Sequence, residues 1–215
     1  MRLFLSSYRA GSYDDKLLEF LGNINKVAVI TNAKDYKPSE ERKIKVEENL
    51  DYFRSLGIEP TEIDLRPYFH KKDAEKMFDG FDFVWLAGGN AFLLRRALKY
   101  TGVDKFLITE VKKGSLIYGG ESAGEILACP TLHGSEDDSG NEDDPNYIPR
   151  GYDEKVLWDG LGFINFVLVP HYKNPDIGES IEGYISYLKK HNITFETITD
   201  DEVFIVDGEK QEFLK

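Results

Sequence analysis

The chain has 215 residues, 41% hydrophobic and 13% aromatic, enough apolar material for a full-sized core and too much for a disordered segment. Its formal net charge of −12 argues against nucleic acid and anionic membrane surfaces as partners, and no apolar run is long enough to span a bilayer. The single cysteine, Cys129, excludes an internal disulfide, so a cytoplasmic setting is expected, and the start of the chain is a strand pattern rather than a signal peptide.

In chain order, apolar runs of strand length alternate with helical patterns. The spacing predicts a strand over 3–7, a helix over 14–21 and a strand over 27–31. A long helix over 39–56 follows, with Ser39 as its N-cap, Glu40 and Glu41 in its first turn and Gly57 as its stop. Next come a weaker strand over 59–64, a short helix over 72–78, a strand over 83–87, helices over 91–99 and 104–113, and a strand over 116–118. A short helix over 125–128, a strand over 166–169 and a helix over 177–190 lead to a β-rich end at 195–198, 203–206 and 212–214, with Asp207-Gly208 as a hairpin turn. Repeated β-then-α units with continuous apolar strands predict an α/β fold in one domain over 1–215, a three-layer αβα sandwich with a mostly parallel central sheet. Such sheets place their sites at the carboxyl ends of strands.

The segment Gly120-Glu121-Ser122-Ala123-Gly124 follows one of these strands and precedes a helix. A serine on so sharp a turn has its hydroxyl lifted clear of the sheet, with the Ala123 N–H as an oxyanion donor beside it. After the 83–87 strand comes Gly88-Gly89-Asn90. It reads either as a tight turn capped by Asn90 or as the source of a second oxyanion donor, the Gly89 N–H. Among four histidines, His70 stands in a polar stretch, His133 near an acidic segment and His191 at a helix end. Only His171, in Pro170-His171-Tyr172-Lys173-Asn174, follows a buried-type strand, the address of a general base. Asp200, after the 195–198 strand, can fix the far nitrogen of that histidine; Asp137 or Asp138 is the competing acid. Residues 134–154 are rich in Asp and Glu without the spacing of a calcium loop and read as a solvated acidic loop. Cys129 reads as a small buried apolar residue.

These pieces resemble the peptidase E (aspartyl dipeptidase) family, whose members share the flavodoxin-like fold of class I glutamine amidotransferases. The likeness rests on Ala87-Gly88-Gly89-Asn90, the Ser122 segment, Ala128-Cys129-Pro130-Thr131 and Pro170-His171-Tyr172-Lys173-Asn174, in the family's order over nearly the whole chain. In the amidotransferases the elbow nucleophile is cysteine; here it is Ser122. The resemblance implies Ser122 as nucleophile, His171 as base and Asp200 as third member, with Asp137 as the alternative acid. Two departures point away from strict aspartate specificity. The family's substrate-binding arginine, in a Gly-Glu-Thr-Arg stretch, corresponds to Ile181 in Gly178-Glu179-Ser180-Ile181, and the chain ends at Lys215 without the longer tail of the dipeptidases. Lys173 and Lys189 are the cations offered in the arginine's place. The expectation is a serine peptidase-like hydrolase that cleaves an amide bond of a small peptide, with no metal or organic cofactor and a homodimer left open. Two rivals stand beside it: an acyl hydrolase for isopeptide or ester substrates, as cyanophycinase relatives are, and a non-catalytic binding module.

Overall fold

The computed structural model describes residues 1–136 and 144–215. In chain order these form β1 (Arg2–Ser6), α1 (Asp14–Leu21), β2 (Lys26–Ile30), α2 (Ser39–Ser55), β3 (Glu59–Ile63), β4 (Phe83–Leu86), α3 (Ala91–Thr101), α4 (Val103–Lys113), β5 (Ile117–Glu121), α5 (Ala123–Ala128), β6 (Val167–Val169), α6 (Gly178–Lys190), β7 (Phe195–Thr197), β8 (Val203–Asp207) and β9 (Lys210–Leu214). Seven strands make the central sheet in the order β3-β2-β4-β5-β1-β8-β9. The first five run parallel, and β8 and β9 close one edge as an antiparallel hairpin turning at Gly208.

The apolar runs are unbroken because each strand feeds two cores, one from each face. Leu3 and Leu5 of β1, Ala28 and Ile30 of β2, and Val84 and Leu86 of β4 pack with apolar residues of α3, α4, α5 and α6. Their alternates Phe4, Val27, Val29, Phe83 and Trp85 pack with α1 and α2. The sheet is therefore the middle of three layers. Parallel pairing brings the carboxyl ends of β1, β2, β4 and β5 to one edge, so Ser6, Ile30, Leu86 and Glu121 lie side by side there.

Four local expectations change. Ser39 is the first residue of α2 rather than its cap; Pro38 takes the cap position with an extended backbone, and its carbonyl accepts the Arg42 N–H at 2.8 Å. The 72–78 segment forms only a short 3-10 turn over Ala74–Phe78. Strand β5 runs on through Gly120 and Glu121, which pair with Leu5 and Ser6. The strands that precede His171 and Asp200, β6 and β7, do not extend the central sheet; they form a parallel pair of their own, with α6 as the crossover.

Candidate active site

Ser122 sits between β5 and α5 with φ +48° and ψ −107°, a region that costs a non-glycine residue about 1–3 kcal/mol. Two hydrogen bonds hold it there: its N–H donates to the Ser6 carbonyl and its own carbonyl accepts the Ile126 N–H, both at 2.9 Å. The flanking glycines are required by close approach. A Cβ on Gly124 would lie 2.1 Å from the Leu86 carbonyl oxygen, and one on Gly120 would lie 2.6 Å from the Gly124 carbonyl. The half-buried Ser122 hydroxyl makes no hydrogen bond among the described residues.

The Gly88-Gly89 turn abuts this elbow: a Cβ on Gly88 would stand 3.3 Å from the Ser122 Cβ. Its two amides have different fates. The Gly88 N–H donates to Glu121 Oε1 at 3.3 Å, and the other oxygen of that nearly buried carboxylate accepts the Arg9 N–H at 2.7 Å. Glu121 therefore ties the ends of β1, β4 and β5 together around the serine. The Gly89 N–H and the Ala123 N–H have no partner among the described residues. Gly89, at φ +132°, is glycine because a Cβ would come within 2.4 Å of the Ala33 carbonyl oxygen, which already accepts the Asn90 N–H at 2.8 Å. Asn90 caps α3 through the Leu93 N–H at 2.8 Å, and Lys34 Nζ donates to the Gly88 carbonyl at 2.9 Å.

His171 follows β6 with φ +59°. Its N–H donates to Ser7 Oγ at 3.0 Å, and that hydroxyl donates to the Ile198 carbonyl at 3.1 Å. The same carbonyl accepts the Tyr172 N–H, which joins the β6–β7 pair to the end of β1. Nδ1 of His171 lies 2.6 Å from Asp200 Oδ1, and Asp200 Oδ2 accepts from Asn174 Nδ2 at 2.8 Å. A carboxylate at Nδ1 calls for the proton there, leaving Nε2 as the basic nitrogen. The Ser122 hydroxyl and the His171 ring are not hydrogen-bonded to each other, yet both residues are held at the end of β1, through its last residue, Ser6, and the next residue, Ser7.

The remaining sequence candidates lie elsewhere. His70 packs beside Tyr100, His133 stacks on Trp158 at 4.2 Å, and His191 closes α6 beside Tyr187. Asp137 and Asp138 lie outside the described residues. The described part of the acidic stretch is anchored rather than merely solvated: Arg96 donates to the Pro145 and Lys155 carbonyls, Asn90 Nδ2 to the Asp144 carbonyl, and Tyr152 Oη to Asp35. Cys129 is fully buried, and that burial pushes its thiol pKa up. Ile181 is buried in the core. Lys173 places its Nζ over the Tyr172 ring, whereas Lys189 is in the last turn of α6, about 16 Å along the helix from its first residue, Gly178. Ser7, Glu121 and Asn174 escaped the sequence reading. Asn174, three residues past the histidine, and Glu121, inside the serine motif, were visible as polar residues at strand ends. Ser7 lay inside a predicted strand and gave no such signal.

A family model described as peptidase family S51 matches residues 4–214. The Listeria innocua peptidase Lin0382 is 29% identical over 160 residues, 72% of this chain and 71% of the relative. Peptidase E of Streptomyces coelicolor is 34% identical over 121 residues, 56% of this chain and 44% of the relative. The crystal structure of a Listeria monocytogenes EGD-e protein assigned to peptidase E superposes with a TM-score of 0.78 at 23% identity, covering 100% of this chain and 98% of the other, which is a likeness of fold. Among the described residues no helix is long and apolar enough to cross a membrane. With a family match over nearly its whole length on an α/β sandwich, the chain belongs to peptidase family S51, a family of serine peptidases.

Proposed function

We propose that this peptidase cleaves a peptide bond through an acyl-enzyme on Ser122. His171 Nε2 takes the hydroxyl proton as Ser122 Oγ bonds to the amide carbonyl carbon. The oxyanion is received by the Gly89 and Ala123 N–H groups, which flank the serine and have no partner among the described residues. His171 then gives the proton to the leaving amine as the C–N bond breaks, and the same base activates the water that releases the acyl group. Asp200 holds the imidazole in the required tautomer. The observation that carries the reading is the 2.6 Å contact between His171 Nδ1 and Asp200 Oδ1, on a backbone pinned by Ser7, the residue that follows the Ser6 anchor of Ser122 at the end of β1.

The substrate side of the reading is a peptidase without strict aspartate preference. Recognition of an aspartate side chain in a closed site needs a cation, best the fork of an arginine. The position that resembles the family's arginine is Ile181, which faces the core, and Lys189 is at the wrong end of α6. Lys173 remains, without fork geometry. A missing charged hydrogen bond of roughly 1.5–3 kcal/mol lowers kcat/KM about tenfold to a hundredfold. The test is kcat/KM for Asp-Leu against Asn-Leu, Ala-Leu and Leu-Leu with wild type and Ser122→Ala. Hydrolysis lost in Ser122→Ala, without an Asp-Leu advantage, is expected. A strong Asp-Leu preference overturns the specificity reading, and hydrolysis that survives Ser122→Ala overturns the mechanism.

A further inference from the structure

Glu125 is the fourth residue of Ser122-Ala123-Gly124-Glu125. That is the spacing of a capping box, in which the glutamate would reach back to the N–H of the cap residue. Here the box does not form. The elbow puts Ser122 at positive φ and spends its N–H on the Ser6 carbonyl, so the glutamate loses its usual donor. The carboxyl is nevertheless fully buried, and among the described residues neither of its oxygens has a hydrogen-bond partner. An unpaired buried carboxylate is among the costliest groups a core can hold; a neutral acid is far cheaper. Among the described residues the titratable groups around it are Tyr118 of β5, Cys129 at the end of α5, and Asp200. The Tyr118 hydroxyl is committed to the Gly124 carbonyl at 2.6 Å, and the Cys129 thiol is turned to the Glu125 backbone carbonyl and the Leu168 N–H. Of these neighbours only Asp200 is a charge-bearing carboxylate, and it is the partner of His171. Burial, and then the repulsion of Asp200, hold the Glu125 carboxyl well above the usual carboxylate range.

We propose that Glu125 is a positioning residue acting through Asp200: it carries a proton beneath the elbow, so that the two carboxyl groups hold one negative charge between them and the O–H dipole of Glu125 tempers that charge as His171 feels it. A second full charge there would make the imidazole hold its proton more tightly and weaken it as a base at neutral pH. Without the dipole, the bare charge of Asp200 would act in the same direction, more weakly.

The inference rests on the proposed role of His171 for its catalytic meaning, but its test needs no activity. The ring protons of His171 are followed by NMR against pH, assigned with His171→Gln, in wild type, Glu125→Gln and Glu125→Met. Glu125→Gln replaces one neutral dipole by another and should leave the midpoint within about 0.2 pH units, whereas Glu125→Met should raise it by about half a unit, a threefold tighter hold on the proton. A fall of half a unit or more in Glu125→Gln means that the glutamate is ionised in the wild type and overturns the proposal; an unmoved midpoint in Glu125→Met overturns its action through Asp200. Should Glu125→Met not fold, Glu125→Leu serves in its place. Denaturant unfolding of wild type and Glu125→Gln gives an independent reading. A glutamate whose folded pKa is raised contributes its full stability below the unfolded value of about 4.3 and loses it as the pH rises toward the folded value. The wild type should therefore lose stability relative to Glu125→Gln between pH 4 and 8, and a constant difference overturns the protonated state. Failure of Ser122→Ala to abolish hydrolysis, by contrast, removes the proposed function and leaves both of these readings intact.

Discussion

The hydroxyl of Ser7 accepts the backbone N–H of His171 at 3.0 Å, one residue past the Ser6 carbonyl, at the end of β1, that accepts the Ser122 N–H. Two segments separated by about fifty residues are thus registered against each other by adjacent residues at the end of one strand, although β6, the strand that precedes His171, is not part of the central sheet. The placement of the proposed base against the proposed nucleophile depends on that single buried hydroxyl as well as on the core.

Ser7→Ala should therefore lower kcat by roughly tenfold to a hundredfold with little change in KM, because a shift of about 1 Å at the base is enough for such a loss. It should also cost about 1–3 kcal/mol of stability, since the His171 N–H loses its acceptor while the Ile198 carbonyl keeps the Tyr172 N–H. Steady-state kinetics and denaturant unfolding on the same preparations check both, and a KM effect without a kcat effect counts against the registering role.

Asp200→Asn should keep the fold and lower kcat by roughly 10⁴-fold, the scale seen when an amide holds a catalytic imidazole in the wrong tautomer. Asn174→Ala, which removes a donor from the other oxygen of Asp200, should cost far less, about tenfold. Asp137→Asn should do least of the three. If Asp137→Asn proves the most damaging, the role of third member passes to Asp137.

Gly89→Ala forces a Cβ to within 2.4 Å of the Ala33 carbonyl oxygen at a backbone angle that side chains rarely adopt, so the turn must move. Because the Gly89 N–H is the proposed oxyanion donor, kcat should fall by roughly 10²–10³-fold, the usual result of losing one such donor. Gly57→Ala is the control: its φ is +77°, nothing lies within 4 Å of the added carbon, and it is remote from the serine elbow, so it should cost stability alone. Equal kcat losses in the two variants would show that the effect at Gly89 is general strain.

The three-layer architecture was legible because period-two alternation is missing from the strands: Leu3, Phe4 and Leu5 are all apolar because the two cores divide them between faces. The glycines around Ser122 were legible as a need for bare backbone, and the structure supplies the neighbours, Leu86 and the first turn of α5 itself. Helix boundaries were less so, since Pro38 takes the cap position for which Ser39 has the better side chain. Sequence spacing could not show that β6 and β7 stand apart from the central sheet, because a parallel crossover reads the same in either case. Nor could it show Ser7 and Glu121 as tethers, because each acts on a segment more than thirty residues away. Glu125 read as an ordinary helix residue; its isolation follows only from the elbow having taken the N–H it would have bound.

Ser122 is the proposed activated nucleophile, and every step above passes through it. The most direct measurement is mass-spectrometric mapping of the adduct formed by a fluorophosphonate, with wild type, Ser122→Ala and His171→Gln treated in parallel. A single adduct on Ser122 is expected, absent in Ser122→Ala and formed at least a hundredfold more slowly in His171→Gln. An adduct on another residue, or labelling of Ser122 at the same rate without His171, would contradict it.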